Sequence, residues 1–180
     1  MNDIVILGAG GLARELAFLI EEINLATPTW NILGFVEADG EPVDRQVGNY
    51  KVLCTESDLT SMQVAAAIGI GDPTTIQKIA QRFKANSKIN FPNLVHPRTI
   101  WDQERVIMGK GNIICAGVVF STDIQIGSHN YFNMDCVVTH DDKIGDYCVV
   151  SPGVHISGNV KLGDSCMIGT SATVLPGVSL

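Results

Sequence analysis

Every sixth residue from Met108 to the end of the chain is apolar: Met108, Ile114, Phe120, Ile126, Phe132, Val138, Ile144, Val150, Ile156, Leu162, Ile168, Val174 and Leu180. With about half of all positions apolar, such a run in one phase arises by chance roughly once in ten thousand. The residue after each is small or polar in most repeats, as at Gly109, Ser121, Gly127, Asn133, Gly145 and Gly163, and is expected to supply the turn. Two places before come small or branched residues such as Val118, Cys136, Cys148, Val154 and Val160, which suit a narrow interior. A hexapeptide of this kind forms one flat side of a triangular coil, so residues three hexapeptides apart become vertical neighbours and the apolar positions stack as internal ladders. The stretch from Met108 to Leu180 spans four such coils.

The pattern before it differs. Asp3-Ile4-Val5-Ile6-Leu7 is a continuous apolar run of the kind found in buried parallel strands, and Gly8-Ala9-Gly10-Gly11 turns the chain into a helix with apolar Leu12, Leu16, Leu19, Ile20 and Ile23. Ile32 to Val36 reads as a second strand and Val64 to Ile70 as a third. Pro73 then opens a helix with Ile76, Ile79, Ala80 and Phe83 at helical spacing. The predicted architecture is an α/β, Rossmann-like parallel sheet over residues 1–90. A Pro-broken linker follows over 91–105, and a parallel β-helix over 106–180.

Composition narrows the function. The net charge of −7, with 12 scattered basic residues, opposes nucleic acid or an anionic membrane as partner. Five cysteines with no CxxC pair suit a reducing compartment, so the cytoplasm is expected. Cys136, Cys148 and Cys166 fall at interior positions and read as packing, with no metal site implied. The apolar run at 4–7 is interrupted by Gly8–Gly11, Arg14 and Glu15 before it could form a spanning helix.

Two places carry candidate chemistry. Gly8-Ala9-Gly10-Gly11 follows a strand and opens a helix, where N–H groups approach a phosphate closely; a plain tight turn and a nicotinamide loop, with Glu37 on a ribose, are the other readings. Among the four histidines, His96 and His129 read as structural or solvated and His155 as ambiguous, whereas His140 should leave the prism at a corner with Asp141 beside it. A carboxylate next to imidazole fixes its tautomer and stabilises the imidazolium formed in proton transfer. Gly158 should lie one coil above His140.

Gly8-Ala9-Gly10-Gly11, Gly34-Phe35-Val36-Glu37 and Ile70-Gly71-Asp72-Pro73, followed by repeats such as Ile144-Gly145-Asp146-Tyr147-Cys148-Val149, resemble the sialic acid O-acetyltransferase (NeuD/PglD-like) family of hexapeptide-repeat sugar acetyltransferases over essentially the whole chain. The resemblance implies a left-handed β-helix, a homotrimer with sites between protomers, and transfer from acetyl-CoA to an amino or hydroxy group of a nucleotide-linked or sialic-acid-like sugar. It implies His140 as general base with Asp141, and Gly158 and Thr170 at acetyl-CoA. Gly10, Gly11, Leu12 and Gly71 would line substrate phosphate or sugar, Glu37 would meet the base, and Asn133 would face the acceptor. Departures from the family are Ala38 for a second acid, Ile76 or Gln77 where an Arg is often found, and Val149 for a second His. Relatives continue for about one more coil, which implies weak CoA affinity for residues 1–180 and, as the alternative function, a non-catalytic sugar-nucleotide-binding trimer.

Overall fold

The computed structural model describes all 180 residues, in two compact units: Met1–Gly71 with Lys78–Pro92, and Asp72–Gln77 with Asn93–Leu180. In the first unit β1 (Asn2–Leu7) leads into α1 (Gly11–Ala26) and β2 (Trp30–Glu37). A hairpin of β3 (Gln46–Val47) and β4 (Tyr50–Thr55) follows, then the short α2 (Glu56–Leu59) and β5 (Val64–Ile68). Helix α3 (Pro73–Phe83) and β6 (Ile89–Asn90) complete the elements before the coils. The sheet order is β3-β4-β2-β1-β5-β6, parallel throughout except for β3 against β4.

Strand β1 is central, which is why Ile4 to Leu7 have no exposed surface. Helix α1 buries Ala13, Leu16, Ala17, Leu19 and Ile20. Just past β5, Gly69 lies close against α1, where a Cβ would come within 2.6 Å of the Ala13 Cα. The β3–β4 hairpin, absent from the sequence-based expectation, turns at Gly48-Asn49, a dipeptide suited to tight turns, with Gly48 at φ 58°.

The second unit is a left-handed parallel β-helix of three ladders. One stacks Leu94–Val95, Ile113–Ile114, Tyr131–Phe132, Val149–Val150 and Met167–Ile168. The next stacks Ile100–Trp101, Val119–Phe120, Val137–Val138, His155–Ile156 and Thr173–Val174. The third stacks Val106–Met108, Ile124–Ile126, Lys143–Ile144 and Lys161–Leu162. The sixth-residue series from Ile114 to Val174 forms the core; Met108 is partly buried and Leu180 is 59% exposed.

Two expectations need correction. Residues 94–101 of the expected linker belong to the β-helix: Leu94 pairs with Ile113, and Ile100 with Val119, because two residues suffice to join a ladder and Leu94–Val95 fits between Pro92 and Pro97. The turn also lies elsewhere. Every sixth residue from Gly111 to Gly177, each three places after a ladder residue, has φ between 56° and 75° and makes the corner. The small residue directly after the ladder position is required by close stacking. A Cβ on Gly145, for example, would come within 2.8 Å of the Asp164 N one coil above.

Polar groups inside the prism are held by ladders of their own. Asn130 is 1% exposed; its N–H donates to Asn112 Oδ1 at 2.9 Å, and its own Oδ1 accepts from the Cys148 N–H at 2.7 Å. Asn112 in turn donates its N–H to Asn93 Oδ1 at 2.8 Å. This series satisfies backbone donors that would otherwise be buried without partners.

Candidate active site

His140 stands at the corner between the strands Val137–Val138 and Lys143–Ile144. The Thr139 N–H donates to the Ile156 carbonyl at 3.0 Å, and the His140 carbonyl accepts from the Asn159 N–H at 3.0 Å, so the backbone on both sides is fixed to the coil above. Asp141 is the left-handed corner residue, φ 64°, a conformation that Asp tolerates better than most residues. The corner turns its carboxylate back to the ring, with His140 Nδ1 and Asp141 Oδ2 2.8 Å apart. Both side chains are more than 60% exposed, at 63% and 62%. With Nδ1–H donating to Asp141, Nε2 is left with its lone pair, the arrangement of an oriented general base.

Gly158 lies directly against this ring, and a Cβ there would come within 2.6 Å of His140 Cε1 and 2.8 Å of Nε2. The Gly158 N–H donates to no carbonyl of the coil, whereas its neighbours do: Ser157 N–H to Val174 O and Asn159 N–H to His140 O, both at 3.0 Å. An unpaired N–H beside a basic nitrogen is the geometry that stabilises developing negative charge on an acyl oxygen.

The other expected site residues lie apart from this pair. The Asn133 Oδ1 accepts from the Met134 N–H at 2.8 Å, and Asn133 shares no hydrogen bond with His140. Thr170 is exposed and two sides of the coil away from Gly158. His155 is exposed on the strand that joins Val137 to Thr173. His129 is buried with its ring stacked on Tyr147, and burial followed by the charge of Lys110 pushes its pKa down to about 4. His96 is buried and accepts from the Arg98 N–H at 3.0 Å.

One residue beside the pair escaped the sequence reading. Asp142 occupies an interior position that elsewhere in the prism holds Val, Cys, Ile, Ala or Asn, and it is 0% exposed. Its Oδ1 accepts from the Val160 N–H at 2.8 Å, its Oδ2 has no partner, and burial pushes the carboxyl up to about 6. A charged residue at a small-or-apolar position was the available signal.

In the first unit, the C-terminal ends of β1, β2 and β5 gather the remaining candidates at one sheet edge. Gly8 donates its N–H to the Val36 carbonyl at 2.7 Å, and Gly69 donates to Leu7 at 2.8 Å. The chain winds from β1 to β2 on one side and returns to β5 on the other, making the switch point where open α/β sheets hold ligands. Leu12 and Gly71 meet there, with a Cβ on Gly71 falling 3.3 Å from Leu12 Cδ2. A Cβ on Gly10 would meet nothing within 4 Å, and one on Gly11 only the Arg14 guanidinium at 4.0 Å, so the fold leaves open space over both. No side chain caps α1, and its first N–H groups remain available to an anion.

Neither nearby acid is bare. Glu37 is ion-paired with Arg45. Asp39 accepts from Arg82 Nη2 at 2.8 Å and from the Ser57 N–H and hydroxyl at 2.9 and 2.8 Å, which together hold its carboxyl well below the usual range. No group of three or more His, Cys, Asp or Glu side chains is arranged to hold a metal ion, and no helix is long and apolar enough to cross a membrane.

Residues 3–83 match the PglD N-terminal domain family, and residues 143–176 match the bacterial transferase hexapeptide (six repeats) family. No curated protein sequence matches the chain. Among solved structures, the acetyltransferase domain of PglB from Neisseria gonorrhoeae in complex with acetyl coenzyme A superposes with a TM-score of 0.86 at 24% identity, over 99% of this chain and 84% of that one. PerB from Caulobacter crescentus, in complex with CoA and GDP-perosamine, gives 0.75 at 22%, over 99% and 91%. WeeI from Acinetobacter baumannii AYE gives 0.70 at 22%, over 98% and 92%. At these identities the likeness is one of fold.

Proposed function

From the chain's membership of the NeuD/PglD-like family, whose PglD N-terminal domain and transferase hexapeptides it carries in that order, we propose that this protein transfers an acetyl group from acetyl-CoA to an amino or hydroxy group of a nucleotide-linked sugar. The observation that carries the reading is the exposed His140–Asp141 pair beneath the unpaired Gly158 N–H. His140 Nε2 takes the proton of the acceptor as its nitrogen or oxygen bonds to the thioester carbonyl carbon. The Gly158 N–H stabilises the oxyanion, and collapse expels the CoA thiolate, which recovers the proton from imidazolium. No acyl-enzyme and no metal enters this scheme.

Acetyl-CoA as donor is supported by the complexes of PglB and PerB, and a sugar nucleotide by the GDP-perosamine bound to PerB. In this reading the open space over Gly10 and Gly11, with Leu12, Gly71 and the start of α1, takes the phosphates or sugar. A base beyond them meets the Glu37–Arg45 ion pair, not a lone acid. Asn133 faces the acceptor and Thr170 the CoA. The active molecule is a cytoplasmic homotrimer.

Free-thiol release from acetyl-CoA with a panel of amino-sugar nucleotides and sialic acid tests the activity. His140→Ala should lower kcat by about 10² to 10⁴ while leaving thermal unfolding nearly unchanged. Parent-like turnover by that variant refutes the role of His140.

A further inference from the structure

Asp142 is the one buried carboxyl inside the prism, next in sequence to the catalytic pair, and the proposed mechanism does not use it. Its Oδ1 repeats what Asn112 and Asn130 do, accepting an N–H from the residue one coil above. At three of these interior positions a side-chain donor reaches the carbonyl of one fixed neighbour. Asn112 Nδ2 donates to the Gly127 carbonyl at 2.9 Å, Cys136 Sγ to Ser151 at 3.1 Å, and Cys148 Sγ to Gly163 at 3.1 Å, each 15 residues ahead. Asn130 differs, turning its amide to Asn112 Oδ1 at 3.1 Å.

Fifteen residues ahead of Asp142 is Ser157, whose carbonyl accepts no backbone N–H. Taking for Asp142 the register of Asn112 sets its unpartnered Oδ2 against that carbonyl oxygen. Two acceptors facing one another in a dry interior are unfavourable, and an ionised carboxylate there carries a large desolvation cost. A proton on Oδ2 removes both problems.

We propose that Asp142 is a positioning residue whose protonated carboxyl donates from Oδ2 to the Ser157 carbonyl and so fixes the peptide that carries the Gly158 N–H. The Ser157 carbonyl and the Gly158 N–H belong to one planar peptide unit, so anchoring the first orients the second. With Oδ1 holding the Val160 N–H, one carboxyl ties both ends of the segment Ser157–Val160 that lies over His140. Burial pushes this carboxyl up to about 6 and outweighs the Val160 and Thr139 N–H groups, which favour its ionised form.

The kinetic part of the test rests on the acyl-transfer reading; the spectroscopic part does not. Asp142→Asn keeps one acceptor and gains a permanent donor. Asp142→Val removes both, at a position type where Val118, Val154 and Val160 are already buried, so it should fold. Isotope-edited infrared spectra of the parent at pH 5, below the raised value of about 6, should show a protonated-carboxyl C=O stretch that Asp142→Asn lacks. With turnover, Asp142→Asn should keep kcat within about twofold, and Asp142→Val should lose roughly tenfold in kcat at nearly unchanged KM for acetyl-CoA, the equivalent of one hydrogen bond. A missing infrared band, a parent-like kcat in Asp142→Val, or equal damage in both variants overturns the proposal. If no acceptor is turned over but the band is present, the acyl-transfer reading fails while the hydrogen bond stands.

Discussion

Gly158 has no room for a side chain on the face turned to His140, where a Cβ would come within 2.6 Å of Cε1. The ring is the mobile partner, being 63% exposed, so Gly158→Ala should push the imidazole off Asp141 and leave the coil intact. A loss of about 10² in kcat, with a melting temperature close to the parent's, is the expected result of steady-state kinetics and calorimetry. His129 shows the opposite kind of histidine. Buried between coils, its pKa falls from 6.5 to about 4, so the unfolded chain holds the proton more tightly than the folded one. Stability from this residue is therefore complete above pH 6.5 and is lost as pH falls toward 4, by on the order of 3 kcal/mol, with no further loss below that. Urea titrations should show the gap between the parent and His129→Asn narrowing through that window, since Asn suits φ 58° and does not titrate there.

Each coil depends on polar caps as much as on its apolar ladder. The Asn93, Asn112 and Asn130 side chains accept the N–H groups of Asn112, Asn130 and Cys148 in succession. Asn130→Ala should thus cost about 2–3 kcal/mol, read as a lower urea midpoint at an unchanged slope, because it strands the buried Cys148 N–H. The corner places another demand on each hexapeptide, a residue that accepts positive φ. Asp141 meets it while pairing with His140, so the proposed base and the turn are set by adjacent residues. The residue that carries the positive φ at each corner has no sequence signature, since only Gly111, Gly117, Gly153 and Gly177 of the series are glycine and the others range from Asp to Tyr147.

For the molecule as a whole, the resemblance to the sugar acetyltransferase family implies a homotrimer as the active form. Light scattering at micromolar concentration should give three times the 19.3 kDa chain mass, and a monodisperse monomer would count against the proposed site. Both architectures are legible in the amino-acid order, since a sixth-residue apolar period and a strand–glycine–helix pattern are local signals repeated along the chain. That order also marked His140 with Asp141 and put Gly158 over them, because one fixed repeat converts sequence distance into vertical distance. It took the folded chain to reveal that Leu94–Val95 and Ile100–Trp101 join the β-helix, that Glu37 and Asp39 are held by Arg45 and Arg82, and that the buried Asp142 keeps one oxygen without a partner. Those facts depend on partners distant in sequence, or on the burial of one atom of a side chain, and no local period encodes either.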